Sequence, residues 1–297
     1  MNLAELQTES RNPRSEHLDT MSTAEVLALM NDEDRRISDA IGLVLDRIEQ
    51  AVDLVAASLA MGGRLIYLGA GTSGRLGLLD AVECPPTFST APDQVVAMLA
   101  GGNTAFARAT EGAEDDPETA ARDVDAHRIG SQDTVVGIAA SGRTPYVVGG
   151  LRRARHLGAS TVALACNAGA VISREADVAI EVLTGPEVLT GSTRLKAGTA
   201  QKMVCNMIST AAMVRIGKTY GNLMVDLRPT NAKLVDRAQR IVAAAAEVDG
   251  ETAATALLAA DGRAKVAIVM LLADVDATTA SSLLDDASGV VSSALRH

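Results

Sequence analysis

The sequence contains no tryptophan, and aromatic residues make up only 2% of its 297 residues. A hydrophobic core therefore has to be built almost entirely from aliphatic side chains, which supply most of the 47% hydrophobic content. A core of this kind favours helices that pack closely on a sheet. The length is enough for about two domains and for a sizeable buried core.

Cysteine and histidine are also scarce. The cysteines are Cys84, Cys166 and Cys205. An odd number of cysteines far apart in the chain argues against a disulfide framework and for a reducing compartment. The four histidines show no ligand spacing such as His-x-x-x-His, so we predict no metal site.

Long apolar runs are missing as well. No run reaches the roughly 18 residues that a membrane span requires, and residues 1–9 lack the basic and apolar regions of a signal peptide. We therefore expect a cytoplasmic protein with no membrane contact. Basic residues number 27 against 37 acidic ones, and the net charge of −10 makes nucleic acid an unfavourable partner. A small anion remains compatible, because a helix N-terminus or a single arginine acts locally.

Strand and helix signals alternate through the first two thirds of the chain. Short apolar runs that predict buried parallel strands lie at residues 65–68, 95–99, 134–139, 161–165 and 178–183. Alternation of this length predicts an α/β fold with a doubly wound parallel sheet of about five strands. Near residue 230 the composition changes to alanine-rich helical patterns. We expect an arm and a long helix in 1–54, an α/β domain in 55–228 and a small helical domain in 229–297.

The region before the first strand divides into an arm and a helix. Residues 8–23 are polar and show no clear period, so we expect an arm that lies on the surface. Asn31 followed by acidic residues at 32–34 favours a helix start, and apolar residues at helical spacing from 37 to 59 predict one long helix. The helix after the first strand is expected over residues 76–82, because prolines at 85 and 86 would stop it.

The first predicted strand ends in a glycine-rich loop at residues 69–75. Gly69, Gly71 and Gly74 formally match the G-x-G-x-x-G fingerprint of dinucleotide-binding sites, so an NAD-dependent enzyme is one alternative. That fingerprint requires an acidic residue at the end of the second strand, where it binds the ribose hydroxyls. Here the second strand ends in Leu-Ala-Gly-Gly, and Asp93 stands at the other end of it, so the match is weak.

A second hydroxyl-rich loop follows the third predicted strand. Loops at the carboxyl ends of strands meet at a topological switch point and can share one ligand. The residues that we expect to bind it are Thr72, Ser73, Gly74, Ser141, Gly142 and Thr144. Hydroxyl donors together with helix N-termini suit a phosphomonoester on a small sugar. The alternative is that both loops are ordinary strand–helix turns.

Carboxylates are the natural candidates for acid–base chemistry, since histidine is scarce. Glu83 stands just ahead of the two prolines, and Glu111 and Glu114 lie in a break between predicted helices. An acidic helix start exposed to solvent is the alternative for Glu114, because two aspartates follow it.

The motifs of the chain together resemble the N-acetylmuramic acid 6-phosphate etherase family, whose members contain a sugar isomerase (SIS) domain. These motifs lie at residues 8–13, 31–34, 69–75, 83–86, 111–115, 139–146 and 194–202, and residues 221–226 also fit. The helical tail is similar only in pattern, because the family's glycine pair near the end is here Ser288 and Gly289.

The resemblance implies a SIS fold and cleavage of the D-lactyl ether of a phosphorylated amino sugar, with no metal or redox cofactor. It implies that Glu83 and Glu114 are catalytic, and it leaves open which of them removes the proton on carbon 2. It further implies that the hydroxyl loops hold the phosphate, that Glu111 contacts the sugar, and that Lys202 contacts the ligand or the partner subunit. Because the family's SIS domains pair, it also implies a homodimer.

Other functions remain compatible with parts of the sequence. A non-catalytic sugar-phosphate regulator, like the glucokinase regulatory protein, would bind a phosphosugar without consuming it, and would usually carry a second SIS domain. An aldose–ketose isomerase would interconvert sugar phosphates without releasing lactate. A DNA-binding SIS regulator is disfavoured by the acidic balance and by the lack of a basic helix-turn-helix segment.

Overall fold

The computed structural model describes residues 6–102, 104–108, 112–227 and 232–296. The chain divides into two compact units, each with its own hydrophobic core. Unit 1 comprises Met1–Val82 and Asp93–Ser209, and unit 2 comprises Glu83–Pro92 and Thr210–His297. The domain boundaries expected near residues 54 and 228 stay a prediction.

Unit 1 is built around a five-stranded parallel sheet. Its strands are β1 (Leu65–Gly69), β2 (Val95–Leu99), β3 (Thr134–Ala139), β4 (Ser160–Ala165) and β5 (Val178–Glu181). Their order across the sheet is β2-β1-β3-β4-β5. All residues of β1 and β3 are buried, as in central strands that helices cover on both faces. The predicted doubly wound α/β sheet is confirmed.

Helices cover both faces of this sheet. Those that belong wholly or partly to unit 1 are α1 (Thr23–Gly42), α2 (Leu45–Ala60), α3 (Gly71–Phe88), α4 (Thr104–Ala107), α5 (Pro117–Ala126), α6 (Pro145–His156) and α7 (Lys196–Arg215). Helices α5 and α6 pack together over the face that carries Ile66 and Leu68. On the other face Gly77 of α3 lies close against Tyr67, whose hydroxyl donates to the carbonyl of Cys205 on α7.

The helical region before β1 is two helices, so the prediction of one long helix is wrong. Helix α1 begins at Thr23, because Ser22 and Glu25 form a capping box in which each side chain accepts the other's backbone N–H. It ends at Gly42, and α2 begins three residues later. Ile41 and Ile48 are both buried and about two turns apart, so the apolar period continues across the break and hides it.

Helix α3 is longer than expected at both ends. It begins at Gly71, inside the glycine-rich loop, and continues through Pro85 and Pro86. A proline lacks the helical N–H but keeps its carbonyl, and the Pro85 oxygen accepts the N–H of Ser89 at 3.0 Å. The helix ends where Ser89 takes a left-handed φ of 51°. The prolines therefore do not stop the helix as predicted.

The described part of unit 2 contains helices and one antiparallel hairpin, β6 (Thr219–Tyr220) with β7 (Leu223–Met224). Its helices are α8 (Ala232–Ala246), α9 (Gly250–Ala259), α10 (Ala264–Ala273), α11 (Ala277–Asp286) and α12 (Val291–Ala294). Asp249 and Asp276 cap α9 and α11 by accepting backbone N–H groups. The predicted helical tail is confirmed.

Helix α10 of unit 2 is strongly apolar. Within the described ranges, no single helix has both the length and the apolar character that a membrane span needs. Helices α10 and α11 meet that test only as a pair, with a bend of 102° between them. Their buried side chains, among them Ile268 and Leu284, belong to the core of unit 2.

Candidate functional site

The two hydroxyl-rich loops start where β1 and β3 lie side by side. These strands are parallel neighbours with Gly69 opposite Ile138, while the chain between them passes through β2 on the far side of β1. Such a reversal of strand order is the switch point at which open α/β sheets bind ligands. The loops after β1 and β3 therefore begin next to each other.

The first loop passes directly into α3. Gly71 has a left-handed φ of 53°, which lets the chain turn from the strand into the helix. A Cβ at Gly74 would collide with the backbone of Gly69, so the loop fits closely against the end of β1. Thr72 and Ser73 consequently occupy the first helical turn. In that turn backbone N–H groups lack helical acceptors and favour an anion.

The second loop also depends on a glycine in a left-handed conformation. Gly142 has a φ of 71°, and a Cβ there would collide with Ala170. Ser141 Oγ accepts the backbone N–H of Arg143 at 3.3 Å, which holds the turn. Thr144 is the N-cap residue of α6. Ser141 and Thr144 are half-buried, so both side chains are partly accessible.

Helix α7 contacts both loops. A Cβ on its Gly198 would lie 3.5 Å from the methyl group of Thr72. Ala197 packs in a small buried cluster with Ala140 and Cys166, directly before the second loop. Burial raises the pKa of the Cys166 thiol to about 12, so this sulfur is a packing group and not a nucleophile. One turn of α7 thus joins the two loops.

Ser73 also reaches α7 through its side chain. Its Oγ donates to Oε1 of Gln201 at 2.9 Å. Ser73 is 7% exposed and Gln201 is fully buried. The sequence motif contains Gln201 but assigned it no role. Lys202, the next residue of the helix, is exposed, in line with a residue that meets a ligand or another subunit.

The N-terminus of α7 is closed by Glu187, a residue that the sequence analysis missed. Its buried carboxylate accepts the backbone N–H groups of Lys196 and Ala197, each at 3.0 Å. Burial raises the pKa of Glu187 although these hydrogen bonds oppose it. The acid precedes the helix by nine residues, so it lacks capping-box spacing and no sequence signal reveals it. Glu187 therefore already accepts the backbone N–H groups through which the N-terminus of α7 could bind another anion.

A buried ion pair lies beside this helix end. Lys196 is 2% exposed, and its Nζ lies 2.5 Å from Oε2 of Glu33 on α1. Arg14 of the arm contacts Oε1 of the same carboxylate at 2.8 Å. Burial by itself would raise the pKa of Glu33, but the hydrogen bonds from Lys196 and Arg14 lower it overall. The pairing joins residues 163 positions apart, which no local pattern could predict.

The N-terminal arm is anchored beside the second loop. Asn167 Nδ2 donates to Thr8 Oγ1 at 2.9 Å and to the carbonyl of Ala140 at 3.0 Å. Asn12 Nδ2 donates to the carbonyl of Pro186 at 3.3 Å. Thr8 and Asn12 are buried, although neighbouring arm residues are exposed. The arm is therefore held by specific hydrogen bonds, whereas the sequence predicted only a surface segment.

Glu114 precedes α5 in the chain, and its backbone contacts the first turn of α6. Its backbone carbonyl accepts the N–H of Tyr146 at 3.0 Å, which ties the acidic segment to the end of the second loop. Its side chain is exposed. Two positions later Asp116 caps α5, so an acidic helix start is present there. Glu111, the third predicted acid, lies outside the described residues.

Glu83 belongs to unit 2, so it is not among the side chains that unit 1 brings together. It lies on α3, about three turns after Thr72 in the same helix. Its side chain is exposed, whereas the neighbouring Cys84 is buried.

The NAD alternative lacks its acidic residue. Strand β2 ends at Leu99 and is followed by Ala100 and two glycines. The N–H of Ala100 donates to the carbonyl of Gly69 at 3.0 Å, so this strand end meets the first loop without a carboxylate. Across the described ranges, no group of three or more His, Cys, Asp or Glu side chains could hold a metal ion.

Known proteins resemble this chain over its full length. The N-acetylmuramic acid 6-phosphate etherase of Mycolicibacterium smegmatis is 64% identical over 295 residues, which cover 99% of each chain. The etherase of Geobacillus thermodenitrificans is 58% identical over 99% of each chain, and that of Edwardsiella ictaluri is 54% identical over 99% of this chain and 98% of its own. Residues 47–155 match the glucokinase regulatory protein N-terminal SIS domain, and residues 113–211 match the SIS domain.

Solved structures resemble this chain at much lower identity. A putative phosphosugar isomerase involved in capsule formation from Bacteroides fragilis is 20% identical with a TM-score of 0.50, over 65% of this chain and 91% of that chain. A phosphoheptose isomerase from Francisella tularensis is 17% identical with a TM-score of 0.50, over 64% of this chain and 100% of that chain. At these identities the similarity shows the fold alone.

Proposed function

We infer the reaction from one premise: the chain belongs to the N-acetylmuramic acid 6-phosphate etherase family. It is accordingly a carbon–oxygen lyase that cleaves the D-lactyl ether of N-acetylmuramic acid 6-phosphate. The products are N-acetylglucosamine 6-phosphate and D-lactate. The observation that carries this conclusion is the full-length identity of 54–64% to three etherases, on a fold that places two hydroxyl loops at its switch point.

We propose that the reaction is an elimination followed by a hydration. In the open-chain sugar the aldehyde acidifies the proton on carbon 2. A base removes this proton, its electron pair forms the double bond between carbons 2 and 3, and the bond from carbon 3 to the lactyl oxygen breaks as an acid protonates that oxygen. Water then adds its oxygen to carbon 3 and a proton to carbon 2. Neither step requires an oxidant or a reductant.

In this proposal the two loops hold the phosphate. Thr72, Ser73, Ser141 and Thr144 supply hydroxyl donors, and Gly74 and Gly142 let the backbone approach the anion. The support is geometric, because the loops leave adjacent strands and α7 contacts both. A phosphate on carbon 6 would thus be bound away from carbons 2 and 3, where the bonds change.

Glu83 and Glu114 are the proposed catalytic acid and base. Both carboxylates are exposed, so both are free to meet a ligand. One carboxylate can act first as base and then as acid, so deuterium exchange at carbon 2 is the measurement that assigns the two roles. In the same proposal Glu111 contacts the sugar, and Lys202 contacts the ligand or the partner subunit.

We further propose a cytoplasmic homodimer. Helix α3 carries exposed apolar side chains at Leu79 and Val82, three residues apart on one side of the helix, which supports burial of that side by a second subunit. All three cysteines are buried thiols, which supports a reducing compartment.

A sugar-phosphate regulator is the second candidate, and the match of residues 47–155 to the glucokinase regulatory protein N-terminal SIS domain favours it. Such a protein would bind N-acetylmuramic acid 6-phosphate and leave it intact. The full-length similarity to etherases outweighs a match to about a third of the chain.

The deciding experiment is a lactate assay. Purified protein incubated with N-acetylmuramic acid 6-phosphate is expected to release D-lactate and N-acetylglucosamine 6-phosphate in equal amounts, measured by a D-lactate dehydrogenase assay and by mass spectrometry. N-acetylmuramic acid without the phosphate serves as the control substrate and should release far less lactate. Correctly folded protein that binds the substrate but releases no lactate would instead be a regulator.

A further inference from the structure

Gln201 carries a hydrogen-bond donor that the described residues leave unused. A glutamine amide offers an oxygen that accepts and a nitrogen with two N–H donors. The oxygen of Gln201 accepts from Ser73 Oγ at 2.9 Å. Its Nε2 finds no acceptor within the described ranges, although the side chain is fully buried. Buried donors are nearly always paired, so this one requires an explanation.

The position of Gln201 is set by its helix. On one side Ala197, Ala200 and Val204 of α7 are fully buried. Gly198 of the same helix lies against Thr72 in the turn that also holds Ser73. The amide is thus fixed directly behind the loop that the proposed function assigns to the phosphate.

The hydroxyl of Ser73 has one proton to donate. A phosphomonoester dianion only accepts hydrogen bonds, so Ser73 binds it well only by donating that proton. In the structure the proton is directed to Oε1 of Gln201. Phosphate binding therefore requires the proton to leave Gln201.

The glutamine amide can make this change without moving its backbone. Its two ends have the same shape, so a half-turn about the last side-chain bond places Nε2 where Oε1 was. Nε2 then donates to Ser73 Oγ, and the Ser73 proton turns to the phosphate. After the half-turn Oε1 lacks a partner in place of Nε2, so the number of unpaired amide atoms does not change. A charge-assisted hydrogen bond to the anion is gained, and the chain of donors strengthens it.

We propose that Gln201 is a positioning residue that directs the Ser73 hydroxyl toward the substrate phosphate. The inference rests on the proposed function, which places the phosphate at the hydroxyl loops. It adds a residue that touches no substrate atom and acts only through Ser73.

The test is a double-mutant cycle on binding. N-acetylglucosamine 6-phosphate is titrated calorimetrically into the full-length protein and into variants Gln201→Met, Ser73→Ala and the combination. Gln201→Met keeps the length of the side chain and removes the donor, so affinity should fall about five- to tenfold. In the presence of Ser73→Ala the same change should have no further effect, because the hydroxyl that it acts on is gone.

Kinetics give a second readout. The phosphate lies away from the bonds that change, so Gln201→Met should raise KM for lactate release by a larger factor than it lowers kcat. Gln132→Met is the matched control, since Gln132 is exposed and precedes β3 at the opposite end of the strand from the site. Its affinity for the phosphosugar should stay within about twofold of the unaltered protein.

If Gln201→Met does not fold, the variant Gln201→Glu tests the same proposal. A carboxylate accepts only, so it would hold the Ser73 proton and add negative charge behind the phosphate. Phosphosugar affinity should fall further than with Gln201→Met, and part of the loss should disappear when Ser73→Ala is added. A loss of equal size with and without Ser73→Ala, in either variant, would overturn the proposal.

The outcome separates this inference from the proposed function. If the unaltered protein releases D-lactate but the cycle shows no coupling between Gln201 and Ser73, only the role of Gln201 is lost. If the coupling is found but no lactate is released, the etherase reaction is lost and the phosphate site stands.

Discussion

The carboxylates of this chain differ in their surroundings, and the surroundings separate structural from chemical roles. Glu33 is buried against Lys196 and Arg14, and Glu187 is buried against the first N–H groups of α7. Both carboxylates are thus buried and hydrogen-bonded within the protein. Glu83 and Glu114 are exposed, so only these two of the four could meet a substrate. Their exposure is compatible with the catalytic roles that the family resemblance implies.

At the residue scale we predict that Glu83→Gln and Glu114→Gln each abolish turnover. Glutamine keeps the shape of the side chain but neither removes nor supplies a proton, so lactate release should fall at least about 100-fold. Affinity for N-acetylglucosamine 6-phosphate, measured by calorimetry, should change little, because the loops bind the phosphate. Glu118→Gln is the matched control, since it makes the same charge change at an exposed position four residues after Glu114.

The same variants assign the base. Product N-acetylglucosamine 6-phosphate is incubated in deuterium oxide, and exchange of the carbon 2 proton is followed by NMR. The variant that lacks the base should stop the exchange, whereas a variant that lacks only the acid should retain it. Normal lactate release by either variant would contradict its proposed catalytic role.

The elements that build the site are two strand–helix loops and one later helix. Each loop turns with a glycine in the left-handed region, Gly71 before α3 and Gly142 before α6. Helix α7 comes from much later in the chain and packs against both loops. The loops therefore depend on their glycines for shape and on α7 for position.

At the element scale we predict that Gly142→Ala destabilises the protein and weakens phosphosugar binding. A left-handed φ costs an L-residue roughly 1–2 kcal/mol, and the new methyl group would also collide with Ala170. The free energy of unfolding in urea should fall by about 2 kcal/mol or more.

Gly42→Ala is the control for that experiment. Gly42 is the last residue of α1, it has no left-handed φ, and no atom would contact a Cβ there. The same substitution should leave the free energy of unfolding unchanged or raise it by up to about 1 kcal/mol. Equal losses in the two variants would show that the conformation of the second loop is not the cause.

The whole molecule has two units and an acidic surface charge, with a net charge of −10. Its buried carboxylates link stability to pH. Hydrogen bonds from Lys196 and Arg14 to Glu33, and from Arg64 to Asp133, outweigh burial and lower the pKa of both acids below their ordinary values of 4.5 and 3.8. Burial acts in the opposite direction on Glu187 and raises its pKa above 4.5.

At the scale of the whole molecule we predict that the free energy of unfolding falls as pH drops below about 4.5. An acid whose pKa is lowered by folding stabilises the fold above its unfolded pKa, and that stabilisation is lost as pH falls through the folded value. An acid whose pKa is raised stabilises the fold fully below its unfolded value, so Glu187 contributes no further change there. The free energy of unfolding measured in urea titrations should therefore be lower at about pH 3 than at about pH 5.

Glu33→Gln identifies the source of this pH dependence. The variant should be less stable than the parent at pH 7, because Lys196 loses its buried charge partner. Its stability should fall less between about pH 4.5 and 3, because one of the titrating groups is gone. A parent protein that becomes more stable in this interval would contradict the prediction.

Much of the fold could be predicted from sequence because its signals are local. Buried strands are continuous apolar runs, so all five strands and the doubly wound sheet followed from the pattern. The helix breaks were predicted less well. The break between α1 and α2 keeps the apolar period, and the prolines of α3 lose N–H groups without ending the helix, so periodicity and proline position were both misleading there.

The sequence by itself determined the strand–helix alternation and the two hydroxyl loops, because each depends on residues close together in the chain. Only the tertiary structure decided what surrounds the loops. It paired Lys196 with Glu33, Asn167 with Thr8 and Gln201 with Ser73 across 163, 159 and 128 positions. The physical reason is that a buried polar group must find its partner wherever the fold places one, and that partner leaves no mark on the sequence around it.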